Sequence, residues 1–392
     1  MFYRIFIYFW KQGADLNKRQ LHRAFAAIVV MACLPVSLSG VAAQEREGKL
    51  KDLISEEMAE IGHEFDRTNR LARESLMRSR LEDLAYIEKI RLTGPPLGED
   101  YTNDRIEQSG AGAFVRENEL VFWAYVFVPK AYASGDGKLP LLLYPHGGVH
   151  SNFQIDNGGH TLRELLAQGY IVAAPDYRGS TGYGKNFYKT IDYGGKEIQD
   201  TKATRDFLVE NYSIVDADRV GIMGHSHGGL HTVMNLFEYP DAYKVGFADV
   251  PVSDLIARMG YKTQGYRELY STDYHIGKTA YEATEEYMRR SPVWNAHKLQ
   301  TPLLIYTNTN DEDVNALEVR SLIRALQAEG KDFEYEIFED IPGGHWYARL
   351  DHVTARRARL RAYEFLGQYL SPPNPLESLE ELERAGYLFH GR

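Results

Sequence analysis

The sequence predicts an α/β fold, a mostly parallel sheet with helices on both faces, and three observations predict it. Short apolar runs at 139–144, 170–174, 219–223, 247–250 and 302–306 are separated by helical stretches. That alternation continues for roughly 250 residues, the signature of a parallel sheet with crossover helices. Finally, 392 residues at 44% hydrophobic content supply a buried core and leave length for appendages.

Composition removes several classes of function. A single cysteine excludes an intrachain disulfide framework, a cysteine-based zinc site and an iron–sulfur cluster. The formal charge of −10 argues against nucleic acid as the partner, because neutralising phosphates needs clustered Lys and Arg. No repeat of solenoid or propeller length is visible. No cofactor is expected.

Taken in order, the first element is residues 24–43, an uncharged stretch behind the basic cluster Lys18, Arg19, His22 and Arg23. It closes on Val41-Ala42-Ala43 and then turns charged, the order of a secretory signal cleaved near Ala43. Export to the periplasm or medium is the expectation, with a membrane anchor, or a lipoprotein attached through Cys33, as the alternatives. Residues 48–91 read as helix. Leu50, Ile54, Met58, Ile61 and Phe65 share one face, and Leu81, Leu84, Ile87 and Ile90 form a second stripe. The first stripe is expected to pack on the domain behind it, and the arm or a sheet edge is the expected route to any homo-oligomer. Strands are read at 120–128 and 333–338, and helices at 161–168, 200–212, 320–329 and 353–370. The domain reading is therefore a signal at 1–43, a helical arm and lead-in at 44–112, an α/β domain at 113–370 that carries the motifs below, and a charged tail at 371–392.

The sharpest motif is Gly224-His225-Ser226-His227-Gly228, directly after a strand and opening a helix. A serine on so tight a turn sits in strained backbone, and the glycines remove side chains that would clash. Its hydroxyl projects past the strand end, beside unpaired N–H groups at a helix amino terminus. This context resembles the nucleophile elbow of an α/β-hydrolase fold, and Ser226 is the candidate nucleophile.

A serine nucleophile needs a base, and the base an orienting carboxylate. On this fold they follow in the order Ser, acid, His. Asp311 lies in the loop after the run at 302–306, with Asp313 as a nearby rival, and His345 lies in the loop after 333–338. The oxyanion hole is assigned to the backbone N–H of His227 and of Gly148, in His146-Gly147-Gly148, with Gly147 as the alternative. The ring of His227 is expected to line the pocket. His225, His227 and His231 lie close together, yet no carboxylate stands at ligand spacing beside them in the sequence, so no metal is expected.

With these residues in place, the chain resembles the catalytic domain of the prolyl oligopeptidase family of serine peptidases. The resemblance runs from about 115 to 370. It rests on His146-Gly147-Gly148, on the run Tyr177-Arg178-Gly179-Ser180-Thr181-Gly182-Tyr183-Gly184, on the elbow, on Ser291-Pro292, and on the Asp311 and His345 loops. Two local departures stand out: His227 replaces the usual tyrosine after the serine, and Thr307-Asn308 replaces a His-Gly pair. The family also places a β-propeller before the hydrolase domain. About 70 residues stand between the cleavage site and the first sheet strands here, far short of the roughly 160–360 a propeller needs.

The resemblance implies a serine peptidase acting on short peptides through an acyl-enzyme. The same machinery opens small esters, which makes a carboxylesterase the alternative. An intact Ser, Asp and His in order argues against a non-catalytic binding protein on the same fold.

Overall fold

Eight strands form one sheet in the computed structural model, which describes residues 40–97, 120–135, 137–155, 159–349 and 352–387. They are β1 (Ala85–Gly94), β2 (Leu120–Pro129), β3 (Leu139–Leu143), β4 (Ile171–Asp176), β5 (Val215–His225), β6 (Val245–Asp249), β7 (Leu303–Asn308) and β8 (Glu334–Phe338). Their spatial order is β1-β2-β4-β3-β5-β6-β7-β8. The first two strands run antiparallel to their neighbours, and β3 to β8 are parallel. Residues 1–39 of the expected signal segment, Cys33 among them, lie outside the described residues. Among the described residues no helix is long and apolar enough to cross a membrane.

Every residue of β3, β4, β6 and β7 is buried, which is why these strands read as continuous apolar runs. Alternate side chains feed two cores on opposite faces. On one face Leu141, Leu143, Ile222 and Ile305 meet α3 (Lys196–Asn211), α4 (His227–Glu238) and α5 (Ala316–Ala328). On the other, Leu142, Phe247 and Leu304 meet α2 (His160–Gln168) and α6 (Val353–Leu370).

Two readings of the sequence need correction. Residues 82–91 are not helix: a single helix, α1, covers Gly40–Leu81 and then gives way to β1. Ile87, Ile90 and Leu92 are β-branched or apolar residues on a strand paired with β2 over ten positions, and that pairing overrides their helical spacing. The segment after Leu370, read as a charged tail, carries a helix. Ser378 caps α7 (Leu379–Gly386), accepting from Glu381 N–H, while Leu376 and Leu382 are buried in the core with α2 and α6.

The chain divides into two units, residues 1–67 and 68–392. In the first, Leu50, Ile54 and Ile61 of the α1 stripe are half-buried and Met58 and Phe65 are 50% and 56% exposed. In the second, the last turns of α1 enter the core through Met77 and Leu81.

Candidate active site

Parallel strands deliver their following loops to one edge of a sheet, and in open α/β sheets that edge is where chemistry gathers. Here β3, β5, β7 and β8 are followed at that edge by the loops carrying His146 to Gly148, Ser226, Asp311 and His345.

Ser226 has φ 60° and ψ −118°, a conformation costly for any residue with a side chain. Crowding enforces it. A Cβ at Gly224 would stand 2.1 Å from the Gly228 carbonyl oxygen, and one at Gly228 would stand 2.3 Å from that of Pro145. The Ser226 N–H donates to the Asp249 carbonyl at 2.9 Å, and its own carbonyl accepts from Leu230 N–H at 3.1 Å to begin α4. The serine is therefore held between β6 and the first turn of a helix.

His345 and Asp311 are brought together. Nδ1 of His345 donates to Asp311 Oδ2 at 2.7 Å. The other carboxylate oxygen accepts from the N–H groups of Asp313 and Val314, each at 2.8 Å. With the proton on Nδ1, Nε2 carries the lone pair of a base. It has no hydrogen-bond partner among the described residues. The His345 ring lies 4.8 Å from that of His225, the residue before the serine. Asp313 stands on the far side of the ring, 3.7 Å from Nε2, with its other oxygen on Arg258 and Lys262. Arg258 is buried and also donates to Glu318 at 3.0 Å, and burial pushes the Glu318 carboxyl up to about 7.

The loop after β3 reaches the elbow through Gly147, where a Cβ would lie 3.4 Å from Ser226 Cβ and 2.8 Å from the His225 carbonyl oxygen. Gly148 is the next residue, at φ 75°. The ring of His146 anchors this loop. Ser180 Oγ donates to the Tyr177 carbonyl at 2.7 Å and so accepts from His146 Nε2 at 2.9 Å. Nδ1 lies 3.1 Å from the Tyr177 hydroxyl, which donates to the His146 and Gly148 carbonyls at 3.0 and 3.1 Å and so ties the same loop together. Burial holds this imidazole neutral, pulling it down to about 3. Tyr177 and Ser180 are positioning residues that periodicity did not reveal; their signal is the Tyr-Arg-Gly-Ser-Thr-Gly run itself.

The His227 ring does not line the pocket as expected. It is 1% exposed and turned inward against Tyr193, His231 and Glu197. Nor is a carboxylate absent from the histidines: Glu197, distant in sequence, stands beside them. Three short helices (Leu255–Tyr261, Gln264–Tyr270 and Thr284–Arg289) lie between β6 and β7, and Tyr266 and Tyr270 there pack on Tyr193 or on each other. A cleft of about 500 Å³ lies against His345, bordered by Lys262, Asp313 and Trp346.

A strained serine elbow between a parallel strand and a helix, with an Asp–His pair formed by two neighbouring loops at the same sheet edge, defines an α/β-hydrolase of the serine class. The sequence model of the prolyl oligopeptidase family matches residues 160–372. The chain belongs to that family. It is 31% identical over 255 residues to dipeptidyl aminopeptidase BIII of Pseudoxanthomonas mexicana, covering 62% of this chain and 36% of that one. To the uncharacterized peptidase YuxL of Bacillus subtilis it is 30% identical over 236 residues, 59% of this chain and 34% of the other. The chain thus spans about a third of the length of these relatives. The crystal structure of a puromycin hydrolase shares the fold, with a TM-score of 0.60 at 22% identity over 74% of this chain and 40% of that one.

Proposed function

We propose that this protein is a serine peptidase that cleaves short peptides through an acyl-enzyme on Ser226. The observation that carries the reading is the Asp311–His345 hydrogen bond at 2.7 Å, which leaves Nε2 without a hydrogen-bond partner among the described residues, on a ring 4.8 Å from that of His225, the residue before the strained Ser226. In this reading Ser226 Oγ attacks the substrate carbonyl while His345 Nε2 takes its proton. The tetrahedral oxyanion is bound by the His227 N–H, at the start of α4, and by an N–H of the Gly147-Gly148 loop. Each such donor contributes about 2.7–4 kcal/mol where charge develops. The protonated His345 passes its proton to the departing amine, and water then repeats the sequence in reverse on the acyl-enzyme. Asp311 keeps the proton on Nδ1 and stabilises the imidazolium.

The cleft beside His345 fits a ligand of a few residues. Membership in a peptidase family, with relatives named as peptidases, supports amide over ester substrates.

The test is twofold. An active-serine phosphonate probe should label the wild-type chain and not Ser226→Ala. Matched amide and ester substrates with the same acyl group should both turn over. Labelling that survives loss of Ser226 removes the mechanism, and ester turnover with no amide cleavage replaces the peptidase with a carboxylesterase.

A further inference from the structure

Two helices face one another beneath the elbow, each presenting a pair of polar side chains one turn apart. Residues four apart share a helix face, so Glu197 and Thr201 of α3 point the same way, as do His227 and His231 of α4. The two faces meet. Donor atoms of Glu197, His227 and His231 all lie within 4.8 Å of one another, and all three residues are 0–1% exposed.

What sets this cluster apart is its unfilled bonding capacity. Both ring nitrogens of His227 and Nε2 of His231 are buried with no hydrogen-bond partner among the described residues. Leaving a buried polar atom unpaired costs about 1–3 kcal/mol. The outer contacts are nonetheless in place. Thr201 Oγ1 stands 2.8 Å from His231 Nδ1, which orients the ring and leaves Nε2 as the inward atom. Glu197 is steadied by the N–H groups of Gly194 and Gly195. A hydrogen bond to the second ring nitrogen and a braced carboxylate are what metal-binding histidines and carboxylates carry. A His pair at i and i+4 with a carboxylate from a second element is also a zinc-binding arrangement.

We propose that Glu197, His227 and His231 bind one divalent transition-metal ion of the zinc type. Bonds of about 2.0–2.2 Å place tetrahedral ligand atoms a little over 3 Å apart. Glu197 Oε1 and His227 Nε2 are already 3.6 Å apart, so small side-chain rotations close the triangle. A solvent-derived ligand takes the fourth position. Nitrogen and oxygen donors without thiolate suit zinc, cobalt or nickel rather than a soft ion. The ion's place is structural: it would pin the side chain of His227, whose N–H is the proposed oxyanion donor, against α3.

The site is tested on the full chain, purified without chelator and also refolded from chelator-treated denaturant with and without zinc. Elemental analysis should find about one zinc per chain in wild type and in the surface control His297→Gln. Glu197→Gln and His231→Phe should hold at least about tenfold less. Cobalt refolding should give a visible ligand-field spectrum in wild type and in His297→Gln, and in neither Glu197→Gln nor His231→Phe. Should the variants fail to fold, wild type refolded with zinc should still melt several degrees above wild type refolded without it. Substoichiometric metal in wild type by both routes, or equal binding by wild type and Glu197→Gln, overturns the proposal. Phosphonate labelling of Ser226 on the same samples reports the hydrolase reading separately, so either can fail without the other.

Discussion

The Asp311 carboxylate lies 2.7 Å from Nδ1 of His345, although 34 residues separate them. Asp313, only two residues on, faces the opposite nitrogen at 3.7 Å and is shared with Arg258 and Lys262. The two carboxylates therefore have different expected roles. Asp311→Asn should lower kcat by about 10³–10⁴ with little change in melting temperature, because the wrong tautomer of His345 is then favoured. Asp313→Asn should cost no more than about tenfold. Steady-state kinetics on both variants decide the matter, and equal losses would reject the assignment of Asp311.

Ser226 sits in strained backbone. At φ 60° and ψ −118° a side chain is penalised, and glycine is not. Ser226→Gly should therefore be more stable than Ser226→Ala, by about 1 kcal/mol, while both lose activity. Denaturant unfolding of the pair measures the difference directly. Alanine equal to or better than glycine would mean the elbow is unstrained.

The loop after β4 is braced by the end of α1. Arg70 donates to the Gly182 carbonyl at 2.9 Å and lies 4.4 Å over the Tyr183 ring. Through Tyr177 and Ser180 the same loop holds His146, and with it the Gly147-Gly148 turn. Arg70→Ala should lower stability by about 1–2 kcal/mol. It should also reduce kcat more than it raises KM. A variant with unchanged kcat would make the brace purely structural.

Burial pushes the Asp176 carboxyl up to about 6 from an ordinary 3.8, against the lowering effect of its hydrogen bonds from Tyr183 and Phe153 N–H. Between these two values the native state holds a proton that the unfolded chain has released. This group's contribution is thus complete below about 3.8 and is lost as the pH rises through 6. Asp176→Asn never ionises and still accepts from Phe153. Measured by denaturant unfolding, its stability relative to wild type should improve from pH 4 to pH 7, by up to about 3 kcal/mol. A difference independent of pH would place the charge of Asp176 outside the balance.

The order of strands and helices was legible because it is local. Continuous apolar runs mark strands buried on both faces, and α6 occupies 353–370 as its periodicity indicates. The elbow was legible for the same reason, since the steric demand of a strand-to-helix turn is met by glycines within four residues of Ser226. Misreadings arose where distant pairing overrides local pattern. Ile87 and Ile90 keep helical spacing yet join a strand, because β2 supplies ten residues of backbone partners. Leu382 looks like part of a charged tail yet is fully buried, because the core with α2 and α6 accepts it.

By itself, then, the sequence determined the α/β class, the elbow and the order of Ser226, Asp311 and His345. Each depends on residues adjacent in the chain, or on a loop following a recognisable strand. Only the tertiary structure decided which carboxylate meets which ring nitrogen, and that Glu197 crosses from α3 to stand beside His227 and His231. Those contacts are set by how helices pack across a sheet, and no spacing along the chain encodes a distance between two helices that are not neighbours in sequence.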